Sequence, residues 1–116
     1  MSDPFNPKLT GKVRIGGIVS KATHPGAKNG ALSGGPQMVE ISRDGKRVYF
    51  TNSLYGAVDA QFYPDGIDGW MVKLDANPNG GITVDPNFFV QWPAPHRPHQ
   101  VRLEGGDCSS DSFCYP

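Results

Sequence analysis

The chain has 116 residues, enough for one domain and too few for two of ordinary size. Its 11 Lys and Arg residues balance its 11 Asp and Glu residues, so no net charge draws it to nucleic acid or to an anionic membrane. Only 37% of the residues are hydrophobic, while 15 Gly and 11 Pro interrupt the sequence. This composition favours short strands and long loops over helices.

The sequence contains no stretch that approaches the ~18 uninterrupted apolar residues of a membrane-spanning helix. Its beginning, MSDPFNPKLTGK, lacks the apolar core of a secretory signal. We therefore expect a cytoplasmic location, and a periplasmic location stays open for a longer relative.

One strand is predicted ahead of the central part of the chain. Lys12–Ile15 alternates apolar and charged residues, which is the period of a strand. Ser20–Gly34 is polar, small and rich in turn-forming residues, so we predict a loop there.

Gln37–Ser42 and Arg47–Asn52 are predicted to form a β-hairpin. The first segment alternates in the period of a strand, and the second, RVYFTN, is β-branched and aromatic. Between them, Gly45 follows Asp44 and can take the positive φ that a tight turn needs.

Two further strands are predicted in the second half. Ser53–Gly69 is predicted to be a long loop that carries several aromatic residues. Trp70–Asp75 alternates as a third strand, and Ile82–Trp92 supplies a fourth. Pro86 interrupts the fourth strand, which fits an edge position because the missing N–H then breaks no ladder bond.

The last part of the chain is predicted to be extended, with one more short strand. Each proline of Pro93–Pro98 biases its predecessor away from helix, so this segment should be extended. His99–Leu103 is predicted to be a short strand, and the GGDCSSDS sequence that follows is predicted to be a turn. Phe113–Tyr115 forms a final apolar piece.

His96 and His99 flank an Arg-Pro pair just before the last predicted strand. The H-x-x-H spacing can place two imidazoles on one metal ion, copper or another metal that prefers nitrogen ligands. The alternative is a surface pair of histidines in a proline-rich loop. Spacing alone does not separate the two.

Three further polar residues are candidates for a site. Gln37 begins a predicted strand after two glycines, and its amide either faces a site or bonds a neighbouring segment. Asp107 belongs to a cluster with Ser109, Ser110 and Asp111, which is either a cation site or a turn bonded to its own backbone. Arg102 either faces the site or pairs with Asp107.

Cys108 and Cys114 do not form a C-x-x-C pair, which argues against a thioredoxin-like motif and a zinc knuckle. In a cytoplasmic chain we expect both thiols to be reduced.

Five short sequences together resemble the C-terminal region of the selenium-binding protein / methanethiol oxidase family: GGPQM, TNSLYGA, QFYPDG, PNFFV and GGDCSSD. The resemblance runs over almost the whole chain, with one departure at Val58, where family members generally carry Trp. It implies an all-β fold in which residues 1–116 are a fragment of a longer seven-bladed β-propeller. The fragment would hold one complete four-stranded blade and parts of its neighbours.

The resemblance also implies a function. The parent activity would be the copper-dependent oxidation of methanethiol to formaldehyde, hydrogen sulfide and hydrogen peroxide. His99 lies in the P-H-x-V/L-R segment of the family and is therefore a better candidate for a copper ligand than His96. The other ligands would come from blades outside this chain, and Gln37, Arg102 and Asp107 would lie near the same channel.

The isolated chain is expected to turn over little or no thiol, because most of the ring would be absent. It would associate with the remaining blades in trans or with itself. The competing interpretation is a non-catalytic binding or structural module that completes a partner propeller.

Overall fold

The computed structural model describes residues 3–19, 21–52, 56–93 and 95–108. Its centre is one antiparallel sheet of four strands in the order β1-β2-β3-β4, each strand pairing with the next along the chain. The strands are β1 (Pro36–Ile41), β2 (Arg47–Asn52), β3 (Gly69–Ala76) and β4 (Ile82–Trp92). A helix, α1 (Gly56–Phe62), lies between β2 and β3, and a 3-10 turn spans Glu104–Gly106. The described part of the chain is therefore all-β apart from two short turns of helix, as expected.

The β1–β2 hairpin closes with the predicted turn. Gly45 has a φ of 69°, which only glycine adopts without strain, and the Asp44 carboxylate accepts the backbone N–H of Lys46 at 2.9 Å. The N–H of Ser42 donates to the carbonyl of Arg47 at 2.9 Å and completes the hairpin. The local sequence thus specifies the conformation of this turn, and the carbonyl of Asp107, which accepts the N–H of Arg43, adds support from a distant segment.

The β3–β4 pair contains a wide irregularity. Val72 pairs with Phe89 and Leu74 pairs with Val84, so four residues of β4 stand opposite Lys73 alone. Pro86 lies inside this bulge, on a strand that has a neighbour on one side only. The predicted edge position of Pro86 is confirmed, because an edge strand at a bulge loses no ladder bond there.

One face of the sheet, which we call the Leu74 face, packs against the chain before β1. Val48, Trp70, Val72 and Leu74 form its buried core together with Leu32 from the preceding loop. Ile15 and Ala27 pack against the same cluster.

The opposite face, which we call the Met71 face, is covered by the 96–108 segment. Tyr49, Val101 and Cys108 are buried together there. The residues packed against them are Met71, Phe88 and Leu103. The two faces thus bury two separate apolar clusters.

Three predicted segments are corrected. Lys12–Ile15 is not a strand: its alternation directs Ile15 to the core, but no neighbouring backbone pairs with it in the described residues. The predicted loop Ser53–Gly69 contains helix α1, whose sequence GAVDAQF includes the helix formers Ala and Gln. His99–Leu103 is not a strand either, since it crosses the Met71 face instead of joining a ladder.

The segment after β4 also differs from its prediction. The N–H of His96 donates to the carbonyl of Pro93 at 3.0 Å, so a turn replaces the extended run expected over Pro93–Pro98. Phe113–Tyr115 lies outside the described residues. No helix in the described ranges is long and apolar enough to cross a membrane.

Candidate functional site

A cavity of about 410 Å³ lies between the Met71 face and the 96–102 part of the chain. Three of its nine lining residues belong to strands β2, β3 and β4, and six belong to the segment that crosses the sheet. The lining residues are Thr51, Met71, Trp92, His96, Arg97, Pro98, Gln100, Val101 and Arg102.

Gly69 lets the crossing segment approach the sheet. A Cβ atom at this position would lie 2.5 Å from the carbonyl oxygen of His96 and 2.7 Å from Cδ of Pro98. Real Cβ atoms do not approach other heavy atoms so closely, so any side chain here would displace the segment. The turn at Pro93 and the absence of a side chain at Gly69, the first residue of β3, therefore place His96 and Arg97 over the sheet.

The far end of the segment is anchored by burial and by charge. Cys108 is fully buried, and its backbone pairs in antiparallel fashion with that of Ser42. The N–H of Arg43 donates to the carbonyl of Asp107 at 3.1 Å. The Arg47 guanidinium pairs with the Asp107 carboxylate, and this hydrogen bond raises the pKa of Arg47. Cys114 lies outside the described residues.

The cavity combines an apolar wall with positive charge. Met71 and Trp92 are contributed by the sheet, while Arg97, Arg102 and His96 come from the segment. No Asp or Glu is among the nine lining residues. Thr51 is 1% exposed, and its hydroxyl has no hydrogen-bond partner among the residues that the structure describes.

The structure brings two of the five predicted site residues together. His96 and Arg102 line the cavity, whereas His99 is exposed and is not part of its lining. Gln37 is exposed at the irregular start of β1. Asp107 lies at the anchored end, where it pairs with Arg47.

The described residues do not by themselves fit a copper centre. A copper site needs several imidazole or sulfur ligands at one point. Within residues 3–19, 21–52, 56–93 and 95–108, no three His, Cys, Asp or Glu side chains gather as a metal site requires. The predicted cluster around Asp107 continues into residues 109–111, which lie outside the described part.

Sequence reasoning missed His24, which is 1% exposed. Its Nδ1 accepts the N–H of Gly26 at 3.0 Å, and its Nε2 lies 3.1 Å from the carbonyl oxygen of Asp85. The ring stacks on Phe89 with 4.8 Å between centroids. The only signal in the sequence was a histidine in a turn-rich loop, which does not distinguish a buried ring from an exposed one.

Comparisons with known proteins agree on one family. Residues 1–114 match the family model described as 56 kDa selenium binding protein. The chain is 38% identical to "Selenium-binding protein 1" of Arabidopsis thaliana and 40% identical to "Methanethiol oxidase" of Homo sapiens. Both matches cover 96% of this chain, and 27% and 28% of those proteins. Each extends over 133 residues, so these relatives carry additional residues inside the matched region.

A solved structure is similar over the whole chain. The X-ray structure of a hypothetical selenium-binding protein from Sulfolobus tokodaii is 58% identical, with a TM-score of 0.78. The match covers 100% of this chain and 25% of that one. The chain thus spans about a quarter of the length of its relatives, and it belongs to the 56 kDa selenium-binding protein family.

Proposed function

We propose that this chain is one part of a methanethiol oxidase-like protein. The reaction consumes methanethiol, oxygen and water and yields formaldehyde, hydrogen sulfide and hydrogen peroxide. The observation that carries the proposal is the similarity, over 96% of the chain, to proteins named methanethiol oxidase. Because the chain spans only about a quarter of them, the activity belongs to the assembled protein.

The sheet is proposed to be one blade of a β-propeller. Blades of this architecture are four-stranded sheets packed face to face around a central channel. Four sequential antiparallel strands fit that description. Val39 and Ile41 on β1 are 51% and 42% exposed, an apolar surface that a neighbouring blade would cover.

Copper is the proposed metal of the assembled protein. His99 is the residue proposed to contribute an imidazole, and its exposure leaves the ring available to ligands from outside this chain. His96 faces the cavity and is proposed to play a smaller part. The described residues do not form a metal site alone, so further ligands would have to come from outside this chain.

Hydrogen sulfide release tests the proposal. We would replace the matched quarter of the human methanethiol oxidase by this chain and supply methanethiol under air. The folded, copper-loaded chimera is expected to release hydrogen sulfide, and the 116-residue chain alone is not. A folded chimera without activity would contradict the proposed function. Comparable turnover by the chain alone would contradict its assignment as an incomplete part.

The second candidate function is a non-catalytic module that completes a partner propeller. The similarity to relatives named selenium-binding protein, a name that states binding and no reaction, favours it. The remaining three quarters of a relative would then bind this chain in a stable complex, and the complex would release no hydrogen sulfide.

A further inference from the structure

We propose that the Leu74 face carries a docking site for an acidic surface with an apolar centre. The site is a groove lined by residues 12–15 and by all four strands, which we call the Val13 groove. The occupant is a surface formed by the three quarters of a relative that lie outside this chain. This inference rests on the proposal that the chain is one part of a longer protein, and it adds the chemistry that the adjoining part must present.

The Val13 groove has a volume of about 490 Å³ and an apolar lining. Six of its eight lining residues are apolar, and they come from the chain before β1 and from each strand of the sheet. These residues are Val13, Ile15, Pro36, Phe50, Leu74 and Ile82. Soluble proteins seldom leave a large apolar surface facing water, so we expect the groove to be covered in the assembled protein.

The apolar surface continues beyond the groove. Val39 is directly opposite Phe50 in the β1–β2 ladder, and opposite residues point to the same face of a sheet. Ile41 lies two residues further along β1 and therefore shares that face. Val13, Val39 and Ile41 are all exposed. Surface that extends from a groove toward an edge strand suits another element of a fold better than a small molecule.

The polar part of the lining is positively charged. Lys12 and Arg14 are the two polar residues of the groove, and both are exposed. Neither side chain forms a hydrogen bond or an ion pair within the described ranges of the chain. Residues 1–34 contain five Lys and Arg residues and a single acidic residue, Asp3, although the chain as a whole is neutral. A partner with acidic side chains around an apolar centre would complement this charge.

The same charge argues against a second copy of this chain as the occupant. A symmetric dimer places the same patch of both copies in contact. Lys12 and Arg14 would then face a patch whose lining includes no carboxylate, and their repulsion would oppose docking. A different sequence is therefore needed, and a relative contains about four times the length of this chain.

A full-length chimera tests the docking site without requiring the isolated chain to fold. In the chimera this chain replaces the matched quarter of the Sulfolobus tokodaii protein, to which it is 58% identical. The test variant combines Lys12→Glu with Arg14→Glu. The control combines Arg43→Glu with Lys46→Glu, which makes the same change of charge at two exposed residues of the β1–β2 turn outside the groove.

The melting temperature is measured by circular dichroism at low and at high salt. In 50 mM salt the test variant is expected to melt about 3 °C or more below the unsubstituted chimera, and the control should melt within ~1 °C of it. In 0.5 M salt the difference should fall to less than about half, because the Debye length is then only ~4 Å. If the reversed variant does not fold, Lys12→Gln with Arg14→Gln takes its place, with about half the expected shift.

The outcomes separate this inference from the proposed function. A folded chimera whose melting temperature is the same in the test variant and the control would overturn the docking site alone. A shift that salt leaves unchanged would overturn the acidic character of the partner. Association of the isolated chain that the test variant abolishes, with no effect in the chimera, would assign the groove to a second copy and overturn the proposal. A chimera that does not fold before any substitution would contradict the assignment of the chain as part of this fold, and the docking site with it.

Discussion

His24 links a turn-rich loop to the sheet through Nε2 of its ring, while Nδ1 forms a hydrogen bond within the loop. Because Nδ1 accepts the N–H of Gly26, the proton of the neutral ring resides on Nε2 and is donated to the carbonyl of Asp85. The same loop delivers Leu32 and Ala27 to the core of the Leu74 face. The buried imidazole thus holds this loop on the sheet together with the indole N–H of Trp70, which donates to the carbonyl of Ser33 at 2.7 Å.

His24→Ala should therefore destabilise the chain strongly. It removes the stacked ring and leaves two backbone groups without their partners, a loss of about 2–4 kcal/mol in the free energy of unfolding. Urea denaturation measures this loss, and Lys28→Ala in the same exposed loop is the control, with little expected change. A loss no larger than that of the control would contradict the role assigned to His24.

Thr51→Val should stabilise the chain. The hydroxyl of Thr51 is buried without a partner in the described residues, and valine keeps the shape while removing the group that must be desolvated. We expect a gain of about 1 kcal/mol by urea denaturation. Thr83→Val on the exposed side of β4 should change little. Destabilisation by Thr51→Val would mean that the hydroxyl is satisfied after all.

His99 and His96 should behave differently in an assembled, copper-containing protein. His99→Ala is expected to lower the copper content and the release of hydrogen sulfide while leaving circular dichroism unchanged. His96→Ala should do much less, because its ring lies at the separate cavity. Metal analysis of both variants checks this, and equal effects of the two substitutions would remove His99 from the metal site.

Among the elements, the β3–β4 bulge depends on a charge pair. Lys73 stands opposite the bulged residues, and its Nζ lies 2.7 Å from the Asp85 carboxylate. This hydrogen bond lowers the pKa of Asp85 and raises the pKa of Lys73. The Asp85 carboxylate also accepts the N–H of Asn87 at 2.8 Å, so one side chain organises the bulge around Pro86.

The stabilisation by Asp85 should depend on pH. With a folded pKa below its ordinary value of 3.8, this carboxylate stabilises the fold fully above about pH 3.8, and the stabilisation is lost as pH falls through the folded pKa. Because the pKa of Lys73 is raised, its contribution to the stability of the fold persists until pH rises above about 10.5. Asp85→Asn should therefore lower the free energy of unfolding at pH 7 and make less difference in acid.

Urea denaturation at several pH values measures that difference. The control is Asp65→Asn, which changes an exposed carboxylate before β3 and should be nearly neutral throughout. A destabilisation by Asp85→Asn that stays constant down to the most acidic pH would show that charge is not its cause.

The strands could be predicted from sequence because their signals are local. Arg47–Asn52 and Ile82–Trp92 match the observed strands, and Gly45 marks the hairpin turn. The bulge opposite Lys73 could not be predicted, since it depends on which residues of β4 face β3. Alternation at Lys12–Ile15 likewise predicted a strand, but alternation does not show whether another strand lies beside the segment. No described backbone pairs with it.

The candidate site was less accessible to sequence reasoning. The polar residues of the 96–102 region were visible, but the cavity exists because Gly69 allows that region to cross β3. Thr51, Met71 and Trp92 were missed because nothing in their local sequence indicates a common cavity. The buried state of His24 was missed for the same reason, since it depends on contacts with β4.

At the scale of the whole molecule, much apolar surface is left uncovered. Phe5, Leu9 and Val19 are 91%, 84% and 90% exposed. Val39 and Ile41 pair with Phe50 and Val48, so they extend the Leu74 face beyond the part that the preceding loop covers. Such surface normally marks an interface, and relatives about four times longer supply sequence that would bury it.

The central claim is that this chain is an incomplete part that needs the rest of its fold. Its most direct test is to melt the 116-residue chain alone and with the remaining three quarters of the Sulfolobus tokodaii protein, following circular dichroism and sedimentation. We predict that the chain alone self-associates or melts broadly at low temperature. The mixture should form a one-to-one complex with a higher melting temperature. A monomer with a sharp, high-temperature melt that the added partner leaves unchanged would contradict the account.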